Sequence, residues 1–190
     1  MIRSRKDLYE YLEADRVQLK RSGFFNPVYD EVWAFQRRMR YTEYYLNCGK
    51  GPVGWLLRKF WSYRFHRQAV RCGFDIPPNT FGPGLSIAHR GTIVVHADAR
   101  IGANCRLHVG VVIGTRPGPV DRVPRIGDNC YIGPGAKIFG DIEIGANTAV
   151  GANAVVGRSF PEGDCTIAGV PARKVSDTSS AEYIIATRTT

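Results

Sequence analysis

Two patterns of apolar positions divide the chain. Up to residue 72, apolar side chains recur at helical spacing. Leu8, Tyr11 and Leu12 lie on one face, followed by Val17 and Leu19, and then Val32, Phe35, Gln36 and Met39 at steps of three and four. The second of these helices is expected to open near Asn26-Pro27 and to end before Gly49-Lys50-Gly51-Pro52. A third is expected over residues 54–71. From Phe74 the period becomes six. One series is Phe81, Ile87 and Ile93; a second is Ile101, Leu107 and Ile113; a third is Ile126, Ile132, Ile138, Ile144, Val150 and Val156.

A period of six fits neither a helix nor an alternating strand. It fits a chain that makes a short strand, turns a corner and repeats, with three hexads closing one triangular coil and the aliphatic residue pointing inward. Stacked coils bury a continuous aliphatic column and pair each strand with those above and below. The fifth position of each hexad is usually small (Cys105, Val111, Cys130, Ala136, Thr148, Ala154), with Ile142 the bulky exception. Glycine and asparagine are expected to supply turns at positive φ. Cys105 and Cys130 are therefore read as inward packing residues and not as nucleophiles. With five cysteines and no C-x-x-C pair, neither a disulfide framework nor a zinc site is expected.

The hexads resemble those of the hexapeptide-repeat acyltransferases, and four stretches narrow the likeness to the serine acetyltransferase-like family. Gly73-Phe74-Asp75-Ile76-Pro77-Pro78 resembles the entry to the family's repeat domain. Gly84-Leu85-Ser86-Ile87-Ala88-His89 resembles the segment carrying the catalytic histidine. Ile113-Gly114-Thr115, with the loop ending Asp121-Arg122-Val123-Pro124-Arg125-Ile126, resembles the cofactor and acceptor loop. Ala168-Gly169-Val170-Pro171-Ala172-Arg173-Lys174-Val175 resembles the C-terminal stretch. The resemblance implies a mainly β protein, a left-handed parallel β-helix over residues 73–175. A small α-helical region over 1–72 precedes it and a tail over 176–190 follows. It also implies a homotrimer, with acetyl-coenzyme A lying in a groove between two β-helices and no metal.

The activity implied is O-acetyl transfer. His89 is the candidate base, because an imidazole titrates near neutral pH and can accept a hydroxyl proton and return it to a thiolate. Asp75, fourteen residues earlier, is the candidate partner that fixes the imidazole tautomer. For the acceptor, Arg122 matches the family's acceptor-holding arginine, and His96 and His108 are further candidates, each placed on the outer surface. For the cofactor, Gly114, Thr115, Pro134 and Ala152 match positions beside the pantetheine arm, with Arg173 and Lys174 placed to meet phosphates. The chain departs from the family at Ala88, where an aspartate is usual, and at Val123, where the loop usually reads Asp-Arg-His-Pro. On these departures the expected acceptor is a sugar hydroxyl of a capsular or exopolysaccharide precursor, with L-serine as the alternative.

Charge changes this picture little. The formal net charge of +9 admits nucleic acid, a membrane surface or a polyanionic ligand such as coenzyme A. The basic residues are spread along the chain without a nucleic-acid motif, so no nucleic acid is expected. The longest apolar stretch, Trp55 to Val70, is broken by Arg58, Lys59, Arg64 and Arg67. It is too polar to cross a bilayer, though peripheral membrane contact stays open. The N-terminus has no secretory pattern, and a cytoplasmic enzyme is expected. A metal-dependent hydratase on the same fold needs three converging histidines, and the spacing of His89, His96 and His108 does not resemble that pattern. A non-catalytic scaffold is the remaining alternative.

Overall fold

The computed structural model describes residues 1–20, 30–116 and 122–184. Among these, three helices precede the strands: α1 (Arg5–Gln18), α2 (Glu31–Cys48) and α3 (Gly51–Cys72). Each starts on a recognisable signal. Ser4 caps α1, its hydroxyl accepting from Asp7 N at 3.1 Å. Asp30 caps α2, accepting from Trp33 N at 2.9 Å. Pro52 opens α3, and Gly73 closes it in the left-handed conformation at φ 75°. The described part of the second helix thus begins at an aspartate cap; the start expected at Asn26-Pro27 lies outside the described residues.

Among the described residues fourteen short strands follow, on three faces. The first face carries β1 (Phe74–Asp75), β3 (Ile93–Val95), β6 (Val112–Gly114), β9 (Lys137–Phe139) and β12 (Val155–Val156). The second carries β4 (Arg100–Ile101), β7 (Arg125–Ile126) and β10 (Glu143–Ile144). The third carries β2 (Ser86–Ile87), β5 (Arg106–Leu107), β8 (Tyr131–Ile132), β11 (Ala149–Val150), β13 (Thr166–Gly169) and β14 (Ala172–Ser176). Pairing is parallel throughout except β13 with β14. From β2 to β12 every third strand returns to the same face, which makes a three-faced parallel coil.

The predicted inward residues are inward. Leu107, Ile113, Ile132, Ile138, Ile144, Val150 and Val156 have no exposed surface, and Phe81, Ile87, Ile93, Ile101 and Ile126 are buried with them. Each fully buried side chain of this size contributes about 1.5–3 kcal/mol. Cys105, Val111, Cys130, Ala136, Thr148 and Ala154 fill the small slots, also fully buried.

The expected turn chemistry holds for both residue types. Positive φ falls on asparagines, at 55° for Asn104, 56° for Asn129 and 57° for Asn147, and at the same hexad position on Gly84, Gly110 and Gly135 at 81°, 79° and 74°. Most glycines directly after the aliphatic residues, Gly114 excepted, have another cause: coils stack closely there. A Cβ on Gly127 would lie 2.6 Å from Ala146 N, and one on Gly145 2.3 Å from Pro161 O. The asparagines also form a ladder up one corner. Asn104 donates to Asn129 at 3.1 Å, Asn129 to Asn147 at 3.0 Å, and Asn147 to Asp164 at 2.9 Å.

The first coil has no coil above it, so its backbone groups need other partners. The helices supply them. Arg40, fully buried, donates to Asp15 at 2.9 and 3.2 Å, to Glu43 at 3.0 Å, and to the carbonyls of Phe81 and Gly82 at 3.1 and 2.7 Å. Asp15 accepts from Gly84 N and Leu85 N at 2.8 and 2.9 Å, and Glu43 from Asn79 N at 2.7 Å. The Gln36 amide donates to Leu85 O at 2.6 Å and accepts from Ile87 N at 3.3 Å. At the other end β14 folds back on β13, and the chain then climbs the asparagine ladder. There Ser180 donates from its backbone N to Asn147 O at 3.0 Å and from its hydroxyl to Asn129 O.

Candidate active site

The hexads place the candidate residues at two corners. Register fixes the first, between the third and first faces. Ile87 pairs with Leu107, Leu107 with Ile132, and Ile132 with Val150. Two residues beyond each pair, His89, Val109, Pro134 and Ala152 therefore stand in one outward column, and all four are exposed. The His89 turn is fastened to the helices. Gly91 N donates to Cys72 O at 2.9 Å, and Arg90 pairs with Glu31 at the start of α2, which also holds Arg71 at 2.7 Å.

Asp75 is exposed on β1, where it pairs with Val94 on the first face. Among the described residues, no hydrogen bond or ion pair joins it to His89.

The second corner lies between the first and second faces. Val95 pairs with Ile113, so His96 lies beside Gly114, with Thr115 next along the chain. His96 N donates to Ile113 O at 2.8 Å, and the His96 ring accepts from Asp98 N at 3.2 Å. Arg122 reaches the same corner and pairs with Asp141 at 2.6 Å, both exposed. Beside it a shallow cleft of about 300 Å³ is lined by Val112, Gly114, Thr115, Lys137 and Phe139. Among the described residues nothing lies within 4 Å of where a Gly114 side chain would start. One chain thus sets His89, Pro134 and Ala152 at one corner and Gly114, Thr115, His96 and Arg122 at another.

Arg173 and Lys174 are exposed on β14. Lys174 pairs with Asp177 at 2.5 Å, and that contact raises its pKa.

His108 departs from the outer-surface expectation. It stands beside Ala88, whose N donates to Leu107 O at 2.9 Å. Its ring is half-buried, 4.9 Å from that of Tyr131, and its Nε2 is shielded from solvent without a hydrogen-bond partner among the described residues. Burial lowers its pKa, and the charges of Arg106 and His89 add to the effect, which favours the neutral imidazole. It faces a groove of about 550 Å³ lined in part by Lys20, Ala88, Arg106, Tyr131 and Tyr183. Tyr131 and Tyr183 lie 5.1 Å apart.

The sequence reading missed this groove. Hexad phase does set Arg106 and Tyr131 one above the other, each just before an inward residue. Nothing in the period announces Lys20, just beyond α1, or Tyr183, in the tail after β14. Among the described residues, no three His, Cys, Asp or Glu side chains form a group able to hold a metal ion.

Residues 124–158 match the family model described as bacterial transferase hexapeptide (six repeats). The serine acetyltransferase of Synechococcus elongatus is 36% identical over 112 residues, 58% of this chain and 46% of that protein. The serine acetyltransferase of Staphylococcus xylosus is 40% identical over 118 residues, 60% of this chain and 54% of that one. Among solved structures, the serine acetyltransferase of Brucella abortus strain S19 in complex with coenzyme A superposes with a TM-score of 0.69 at 29% identity, covering 92% of this chain and 68% of that one. The chain spans about half the length of the curated relatives it matches. These likenesses and the three-faced coil make the chain similar to the hexapeptide-repeat transferases. Within them its relatives are serine acetyltransferases, as the four motif stretches imply.

Proposed function

We propose that this chain is an O-acetyltransferase that takes its acetyl group from acetyl-coenzyme A, with L-serine as the acceptor its relatives favour. That acceptor replaces the sugar hydroxyl expected from Ala88 and Val123 as the leading reading. The observation that carries the proposal is the outward column of His89, Val109, Pro134 and Ala152. It gives one imidazole at the head of a track of small or apolar residues along which a pantetheine arm can lie. The coil winds left-handed and three copies pack around an axis. The His89 corner of one copy then meets the Gly114, Thr115 and Arg122 corner of its neighbour, which completes the site. The enzyme is cytoplasmic on this reading.

In the reaction, His89 takes the proton from the acceptor hydroxyl as its oxygen attacks the thioester carbon. The carbonyl electrons move onto oxygen, where backbone N–H groups of the corner stabilise them. Collapse of the tetrahedral adduct breaks the carbon–sulfur bond. The imidazolium returns its proton to the leaving thiolate, so ester and free thiol form and His89 ends neutral. Asp75 stabilises the imidazolium once the corners close, Arg122 and His96 hold the acceptor, and Arg173 and Lys174 meet the nucleotide phosphates. Holding both reactants in one cleft removes much of the entropic barrier.

A second reading, a sugar hydroxyl as acceptor, rests on the groove beside Ala88. Its volume of about 550 Å³ exceeds what a single amino acid fills, and it offers the rings of Tyr131 and Tyr183 and the free Nε2 of His108. Release of free thiol from acetyl-coenzyme A, measured with L-serine and with a panel of sugars, decides between the acceptors. His89→Ala is expected to lower turnover with the active acceptor about 10²–10⁴-fold. Turnover near that of the parent protein would remove His89 from the mechanism.

A further inference from the structure

Helix α3 has two apolar stripes where a surface helix needs one. The first faces α2: Gly54, Gln68, Ala69 and Cys72 are buried, Trp61 stacks on Tyr41 at 4.4 Å, and Phe65 lies 5.3 Å from Phe35. The second points away from the protein. Val53, Leu56, Phe60, Tyr63 and Val70 follow at steps of three, four and seven, with exposures from 46% at Phe60 to 70% at Val53, and Trp55 beside them is 54% exposed. Isolated exposed apolar residues are ordinary, but a contiguous row of this length marks a contact surface.

The charges beside the row are of one sign. The 22 residues of α3 include Arg58, Lys59, Arg64, Arg67 and Arg71 and no Asp or Glu. The cations lean over the rings of the row: Lys59 is 5.9 Å from the Trp55 ring centre, Arg64 5.5 Å from Phe60 and Arg67 5.9 Å from Tyr63. Of these basic residues Arg71 is occupied by Glu31.

We propose that this outer face of α3 docks on the surface of an anionic lipid bilayer. Its rings and aliphatic tips enter the headgroup boundary while Lys59, Arg64 and Arg67 meet lipid phosphates and carboxylates. The helix lies on the membrane: no helix of the described residues is long and apolar enough to cross one. Charge argues against a second copy of the chain as the occupant. A two-fold contact would set the same basic face against itself, and α3 brings no acidic side chain to relieve the repulsion. The proposal does not depend on acetyl transfer. It does place the chemistry, since α3 runs directly into β1 and Cys72 O holds the His89 turn.

Cosedimentation of the full chain with phosphatidylcholine vesicles, with and without phosphatidylserine, tests this. Binding is expected to the anionic vesicles and to weaken as salt is raised. Two double variants, Leu56→Ser/Phe60→Ser and Lys59→Glu/Arg64→Glu, are each expected to weaken it by about tenfold or more. Circular dichroism checks that both remain folded. Equal or absent binding to the two kinds of vesicle would overturn the proposal. So would sedimentation velocity in which Leu56→Ser/Phe60→Ser splits an assembly of the parent chain while vesicle binding is unchanged, for the row would then belong to a second copy.

Discussion

The helical cap and the repeat coil solve the same problem by opposite means. Every strand inside the coil finds backbone partners in the turns above and below, so side chains are left to fill volume, and aliphatic residues do most of that, with Cys105, Cys130 and Thr148 in small slots. The first coil has no such neighbour. Its carbonyls at Phe81 and Gly82 and its N–H groups at Gly84 and Leu85 are met by Arg40 and Asp15, and both side chains are fully buried. Burial works against the Arg40 charge, yet Asp15 and Glu43 outweigh it and raise its pKa. The repeat is thus held largely by its buried column, whereas its open end needs buried charged side chains that meet its backbone groups and one another.

Substitutions can break each half of this contrast. In the coil, Ile132→Asp puts a carboxylate where no polar partner exists. The cost exceeds what a domain of ~5–15 kcal/mol net stability can carry. Loss of the cooperative thermal transition is expected, and a folded, cooperative variant would contradict the inward placement of Ile132. In the cap, Arg40→Met keeps much of the volume and strands Asp15 and Glu43 in the interior. A loss of about 3–5 kcal/mol is expected in denaturant unfolding, because a broken buried pair leaves its partner uncompensated. A loss below 1 kcal/mol would mean that water reaches the trio and that the cap is held by packing instead.

The two regions were also unequally legible. Twelve positions in three series of period six did the same job, so period alone exposed the column from Phe81 to Val156. The Cys105 and Cys130 slots followed from the same count. Arg40, Asp15 and Glu43 occur once each, at spacings that read as ordinary helical charges, and nothing local says that the three meet at the end of the coil. The site divides in the same way. His89, Pro134 and Ala152 fall in one column because each sits two places after an inward residue. That Gly114, Thr115 and Arg122 stand at a different corner follows from which face each strand joins, and this is a three-dimensional fact. The exposed row on α3 was partly hidden for a related reason: two apolar stripes on opposite sides leave no single polar face for a pattern search to find.

The smallest expected effect lies where cap, coil and tail meet, at His108. Its folded pKa is lowered by burial and by Arg106 and His89. An unfolded chain would take up a proton at His108 as pH falls through about 6.5, while the folded chain resists until lower pH. More protons bound in the unfolded state means that stability rises with pH, so this contribution is intact above about 6.5 and is lost progressively on acidification below it. His108→Gln removes the titration and keeps a polar side chain. Melting temperatures of the two proteins are expected to run parallel above pH 7 and to converge or cross below 6, with the parent falling faster. Parallel curves over the whole range would show that the His108 imidazole is protonated as readily in the folded protein as in the unfolded chain, and the groove it faces would then be wetter than its shielded Nε2 implies.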